Sequence, residues 1–150
     1  MPGSILIPTF RYRDAPAAIE WLCNTLGFTR HAVYENPDGS IAHAELTFGN
    51  GMIMLASASN PTKIAEYMIE PDEAGGRTGS PVYVIVPDCD RVYYTAEDNG
   101  KIVQPLETMD YGGKAFVVRD PEGYLWSVGE YDPWAARPGA DEGATAKGLQ

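Results

Sequence analysis

The sequence predicts an α+β fold made of two βαβββ modules. A single order of elements occurs twice: strand, Asp cap, helix, Gly stop, strands. It starts once at Ile5 and again at Val82. The two copies match in pattern, not in residue identity. The second copy closes on a β-hairpin, in which Asp120-Pro121-Glu122-Gly123 joins two β-prone runs. A chain of 150 residues fits one domain of this size. The expected organisation is a single domain over 1–134, with module one at 5–57, a connector at 58–80 and module two at 81–131. Residues 135–150 lack periodicity and read as a disordered tail.

Module one begins with a strand from Ile5 to Arg13. Ile5, Ile7, Thr9 and Arg11 share one face. Pro8 lacks an N–H, which places this strand at a sheet edge. Asp14 caps a helix with Pro16 in its first turn, and Ile19, Leu22, Cys23 and Leu26 form its apolar stripe. Gly27 ends it. A strand over Thr29 to Glu35 follows, then the turn Asn36-Pro37-Asp38-Gly39 and a strand from Ser40 to Phe48. Alternation puts Ala42, Ala44, Leu46 and Phe48 on one face and Ile41, His43, Glu45 and Thr47 on the other. Gly49-Asn50-Gly51 is a tight turn into Met52 to Ala56.

The connector holds a short helical piece between Asn60-Pro61 and Met68, then loop signals at Pro71 and Gly75-Gly76. Module two opens with the apolar strand Val82 to Val86. Asp88 or Asp90 caps a helix that Gly100 stops. Lys101 to Gln104 is a strand, or starts one, and Pro105 interrupts it. The hairpin strands are Lys114 to Arg119 and Leu125 to Glu130. Leu125, Ser127 and Gly129 share a face with small side chains that can line a hollow, and Trp126 points the other way, into the core.

Composition narrows the partners. A net charge of -10 argues against nucleic acid and against an anionic membrane surface. No apolar run approaches the ~20 residues of a membrane span, and no leader pattern is seen, so a cytoplasmic location is expected. Cys23 and Cys89 read as two reduced thiols. Cys89 lies near a helix start, which favours a thiolate, but has no base beside it in sequence. No nucleophile elbow or phosphate loop is present.

Several stretches resemble the vicinal oxygen chelate superfamily, which includes glyoxalase I, bleomycin-resistance proteins, fosfomycin-resistance enzymes and extradiol dioxygenases. They are Arg11-Tyr12-Arg13-Asp14-Ala15-Pro16, Leu26-Gly27-Phe28, His43-Ala44-Glu45-Leu46 and Asp120-Pro121-Glu122-Gly123-Tyr124-Leu125-Trp126. Together they are most similar to the bleomycin-resistance and PhnB-like group. The resemblance implies curved sheets that enclose a pocket, usually completed in a homodimer. Metal-dependent relatives carry ligands at positions that match Ile7, Pro81 (Ser80 in a shifted register), Met52 or Met54, and Ser127. None of these supplies the imidazole or carboxylate that a divalent ion needs.

The resemblance therefore implies a protein that binds a small, flat or aromatic molecule with no metal and no other cofactor. Its expected ligand-binding residues are His43, Glu45, Met54, Tyr83, Tyr111 and Ser127. His43 and Glu45 sit two apart on one strand face, ~7 Å by strand rise, and can contact a polar group or act as a base and its orienter. Tyr83 and Tyr111 offer rings for stacking, and Tyr111-Gly112-Gly113 reads either as a lid or as an ordinary glycine turn. His31 reads as a surface residue. Two alternatives stay open: a lactoylglutathione-lyase-like lyase or isomerase, with a divalent metal on His43, Glu45 and water, and a structural or regulatory dimer.

Overall fold

A computed structural model describes residues 3–135. The tail over 136–150 lies outside them. The chain order is β1 (Thr9–Tyr12), α1 (Ala15–Trp21), β2 (Thr29–Glu35), β3 (Ile41–Phe48) and β4 (Gly51–Ser57), then β5 (Val82–Ile85), α2 (Cys89–Asn99), β6 (Lys101–Thr108), β7 (Lys114–Arg119) and β8 (Leu125–Gly129). Each module makes its own four-stranded sheet, ordered β1-β4-β3-β2 and β5-β8-β7-β6. In each, the first strand runs parallel to the last and the other pairs are antiparallel. The two sheets are mixed and curved, and neither closes on itself.

The local chemistry accounts for the elements. The Asp14 side chain accepts from Ala17 N at 3.1 Å and starts α1. The helix widens into a π turn over Leu22–Leu26, which Gly27 ends at φ 98°. Asp88, rather than Asp90, caps α2 through Arg91 N. A 3₁₀ turn at Lys63–Tyr67 is the helical piece of the connector.

Three expectations need correction. The first strand is shorter than predicted: pairing begins at Thr9, and Ile5 and Leu6 stand 94% and 80% exposed. Pro105 does not stop β6, which runs on to Thr108. β6 is an edge strand, so a residue without an N–H is tolerated there, at the cost of an irregular register between Gln104 and Glu107. Ile41 is buried, not on the polar face. Tyr34 pairs with His43 and Glu35 with Ile41, so Ala42 is the extra residue of a bulge that flips the alternation. The Ile41 N–H turns to Ser57 Oγ at 2.8 Å.

The helix-facing sides of both sheets share one core. Phe10 stacks on Trp126 at 5.3 Å, and Tyr12 meets Tyr124 at 5.0 Å, joining β1 to the closing hairpin. At the centre lies Asp120, 5% exposed. Its Oδ2 accepts from Tyr12 Oη at 2.5 Å and Trp126 Nε1 at 3.1 Å. Its Oδ1 accepts from the backbone N–H groups of Glu122 and Tyr124. Glu122 reaches across to module one and accepts from Arg13 N and Asp14 N at 2.7 and 2.8 Å. The turn that identifies the hairpin in sequence is thus also what ties the modules together.

Candidate functional site

The outer faces of the sheets, opposite the helices, carry the predicted site residues except Tyr111, which lies in the loop between β6 and β7. On sheet one, Glu45 and Met54 are direct partners across β3 and β4. His43 Nε2 lies 2.9 Å from Glu45 Oε2. A carboxylate only accepts, so Nε2 is the donor of this pair. The His43 ring stacks on Tyr34 at 6.1 Å and 22°. His31 is exposed, as the sequence reading expects, and it has a neighbour that the sequence did not show. It is the extra residue of a bulge in β2, and its Nε2 lies 3.9 Å from Glu45 Oε1. Glu45 therefore sits between two imidazoles.

His43 and Met54 line an open hollow of about 190 Å³. The connector supplies Thr62, Ile64 and Met68 to its rim, and β1 supplies Arg11. Sequence reading missed Arg11 as a site residue. The available signal was a lone cation in phase with Ile7 and Thr9 on that face. Arg11 is 7% exposed. Its guanidinium donates to the carbonyls of Ala58 and Asn60, each at 2.6 Å, and to Thr62 Oγ1 at 3.1 Å. No carboxylate pairs with it among the described residues. It fastens the connector against the sheet and leaves a buried positive charge beside the hollow.

Tyr83, Ser127 and Tyr111 belong to module two. Tyr83 and Ser127 are direct partners across β5 and β8. The small-residue face is less hollow than expected, because Tyr83 fills part of it. A Cβ on Gly129 would meet Tyr83 Oη at 2.6 Å, and that hydroxyl donates to Tyr131 O at 2.8 Å. Burial pushes the Tyr83 hydroxyl up to about 12. Gly129→Ala is expected to displace this ring and to lower stability by about 1–3 kcal/mol, measured by urea unfolding. Tyr111 packs edge-on against Tyr131 at 5.2 Å. Tyr83 also lines a groove of about 330 Å³ between the modules, with Leu6, Phe48 and Met52. Within one chain the predicted residues thus form two groups, one per sheet. Neither of these two hollows holds both groups.

The donor set does not fit a divalent ion. At the positions that the family resemblance would match to metal ligands stand Ile7, Met52 or Met54, and Ser127, none of which carries imidazole or carboxylate. Among the described residues no three His, Cys, Asp or Glu side chains converge on one point, and Glu45 is hydrogen bonded to His43 rather than facing a shared centre with it. Cys89 offers no thiolate. It is fully buried, and burial followed by the nearby Glu130 pushes its thiol up to about 12, against the expectation from its helix position. Below the ordinary thiol value this contributes fully to stability, and the contribution is lost as pH rises through about 12. Cys89 is expected to stay unmodified by a thiol reagent at pH 8 until the protein is unfolded. Early labelling of both cysteines, read by mass spectrometry, would contradict this.

This geometry defines a class: paired βαβββ sheets that share one core and present a polar, partly apolar outer face on each module. Residues 5–128 match the model of the Glyoxalase/Bleomycin resistance protein/Dioxygenase superfamily, and the chain belongs to that family. It is similar to TioX from Micromonospora sp. ML1 (TM-score 0.66, 31% identity, covering 87% of this chain and 100% of that one). It shares 29% identity over 126 residues with an uncharacterized protein of Mycobacterium tuberculosis, covering 83% of this chain and 73% of that one. A glyoxalase I mutant from Zea mays shares the fold at TM-score 0.63 and 18% identity, over 84% of this chain and 44% of that one. No helix among the described residues is long and apolar enough to cross a membrane.

Proposed function

We propose that this protein captures a small, flat or aromatic molecule without a metal, in the manner of the bleomycin-resistance and PhnB-like group. It works as a cytoplasmic homodimer. The sheet-one face of one copy, with His43, Glu45 and Met54, is closed by the sheet-two face of the other, with Tyr83, Tyr111 and Ser127. The observation that carries this reading is the hollow beside His43. At about 190 Å³ and open to solvent, it falls short of the ~300 Å³ at which pockets bury a drug-sized ligand. A second surface is needed, and the module-two face carries the aromatic rings that suit one. Further apolar side chains stand exposed around the site, among them Ile64, Tyr67 and Ile69 of the connector.

Thioether and ring surfaces favour a flat apolar body, and the Arg11 guanidinium favours a polar acceptor on its edge. Thermal melting against a panel of planar aromatic compounds tests the reading. A ligand specific to the native state is expected to raise the midpoint, and Met54→Asp to abolish the shift. Light scattering is expected to give twice the 16.3 kDa chain mass. A monomer that no compound stabilises would contradict the proposal. The hydrogen-bonded His43 and Glu45 also suit proton transfer, so a lyase or isomerase is the second reading. Stoichiometric zinc, nickel or manganese on the purified protein would favour its metal-dependent form.

A further inference from the structure

A third hollow, about 640 Å³, opens between the connector, the end of α2 and the β7–β8 turn. It shares no lining residue with the other two and takes no part in the site above. Two cations line it. Lys101 starts β6, Arg119 ends β7, and they are direct partners across the strand pair. Like charges placed opposite each other in a sheet destabilise it. Neither pairs with a carboxylate among the described residues.

The carboxylates of the same cleft are all engaged elsewhere. Asp72 forms a two-pronged ion pair with Arg13. Glu122 accepts from the Arg13 and Asp14 N–H groups. Asp120 accepts four hydrogen bonds within the core. By contrast, Arg119 uses one N–H on Gly123 O, at 2.9 Å, and the Lys101 side chain makes no hydrogen bond among the described residues. The acids are satisfied and the bases are not, although the chain as a whole is acidic.

We propose that this cleft is a second binding site, which takes a small molecule through an oxyanion, phosphoryl or carboxylate, held between Lys101 and Arg119. The anion removes the repulsion between them, and the planar guanidinium offers it paired donors. The hollow is far larger than one anionic group, so the rest of the ligand lies against Pro71 and Pro121.

The test is the thermal midpoint of the full chain with increasing sodium pyrophosphate or sodium citrate, against sodium chloride at equal ionic strength. Such salts also stabilise proteins by exclusion from the surface, so the readout is wild type minus Lys101→Glu. The expected result is a saturable wild-type rise of about 2–5 °C that Lys101→Glu lacks. Lys101→Glu alone is expected to melt higher than wild type in chloride, because an attraction replaces a repulsion. A larger response to pyrophosphate assigns a phosphoryl ligand, and a larger response to citrate a carboxylate. Equal responses in wild type and Lys101→Glu, or a wild-type response no greater than chloride gives, would overturn the proposal. Neither result bears on the sheet-face site, whose ligands are planar aromatics tested against Met54→Asp.

Discussion

Asp120→Ala is expected to cost about 3–5 kcal/mol and to leave the chain close to unfolding under ordinary conditions. The substitution empties a buried site and strips the Trp126 and Tyr12 side chains of their acceptor at once. It also frees the two backbone N–H groups that hold the β7–β8 turn. Two further variants separate these causes. Tyr12→Phe removes one donor and keeps the carboxylate, for a loss of about 1–2 kcal/mol. Asp120→Asn keeps the volume but turns an amide N–H₂ toward the Trp126 N–H, for about 2–4 kcal/mol.

Burial pushes the Asp120 carboxyl above its ordinary value, against the pull of its four donors. The native state therefore holds this proton longer than the unfolded chain does. That contribution is full below pH ~4 and is lost as pH rises through the native value. The stability difference between wild type and Asp120→Asn is expected to narrow with rising pH across that window. Urea midpoints at a series of pH values measure it.

Arg11→Ala is the second large effect, at about 2–4 kcal/mol. It leaves the carbonyls of Ala58 and Asn60 without their donor and unfastens the connector from sheet one. The connector carries Thr62, Ile64 and Met68 at the rim of the candidate site, so ligand response should fall along with stability. Arg11→Lys keeps the charge but cannot reach three acceptors with one planar group. It is expected to recover only part of the stability. Hydrogen exchange should locate the change: faster exchange over the connector, with the sheet-two core unchanged. Exchange that rises uniformly through both modules would contradict a local role.

The hairpin, the Asp14 cap and both modules were legible in the sequence, and the second cap was narrowed to Asp88 or Asp90, because they rest on local chemistry: a turn tetrapeptide, an Asp before a helix, a Gly after it. What the sequence hid was set by contacts between distant residues. The bulge at Ala42 exists because Ser57, sixteen residues on from Ile41, accepts the Ile41 N–H. His31 meets Glu45 only because β2 bulges against β3. Pro105 reads as a strand end in sequence because strand order, which makes β6 an edge, is not a local property. The face alternation of Tyr83, Trp126 and Ser127 followed correctly from period-two reasoning. That Tyr83 would lie over Gly129 was not visible without the partner strand.

The central claim is that the site residues on the two sheets meet across two chains. Complementation tests it most directly. Met54→Asp spoils the sheet-one face, and Ser127→Arg spoils the sheet-two face. Each variant alone should fail to bind a planar ligand that stabilises the wild type. After the two are mixed, unfolded and refolded together, the heterodimers contain one site with both defects and one with neither. Titration is expected to show binding restored at about one quarter of the wild-type capacity, since half of the randomly paired dimers are mixed and each has one intact site of two. A mixture that binds no better than either variant alone would contradict the account.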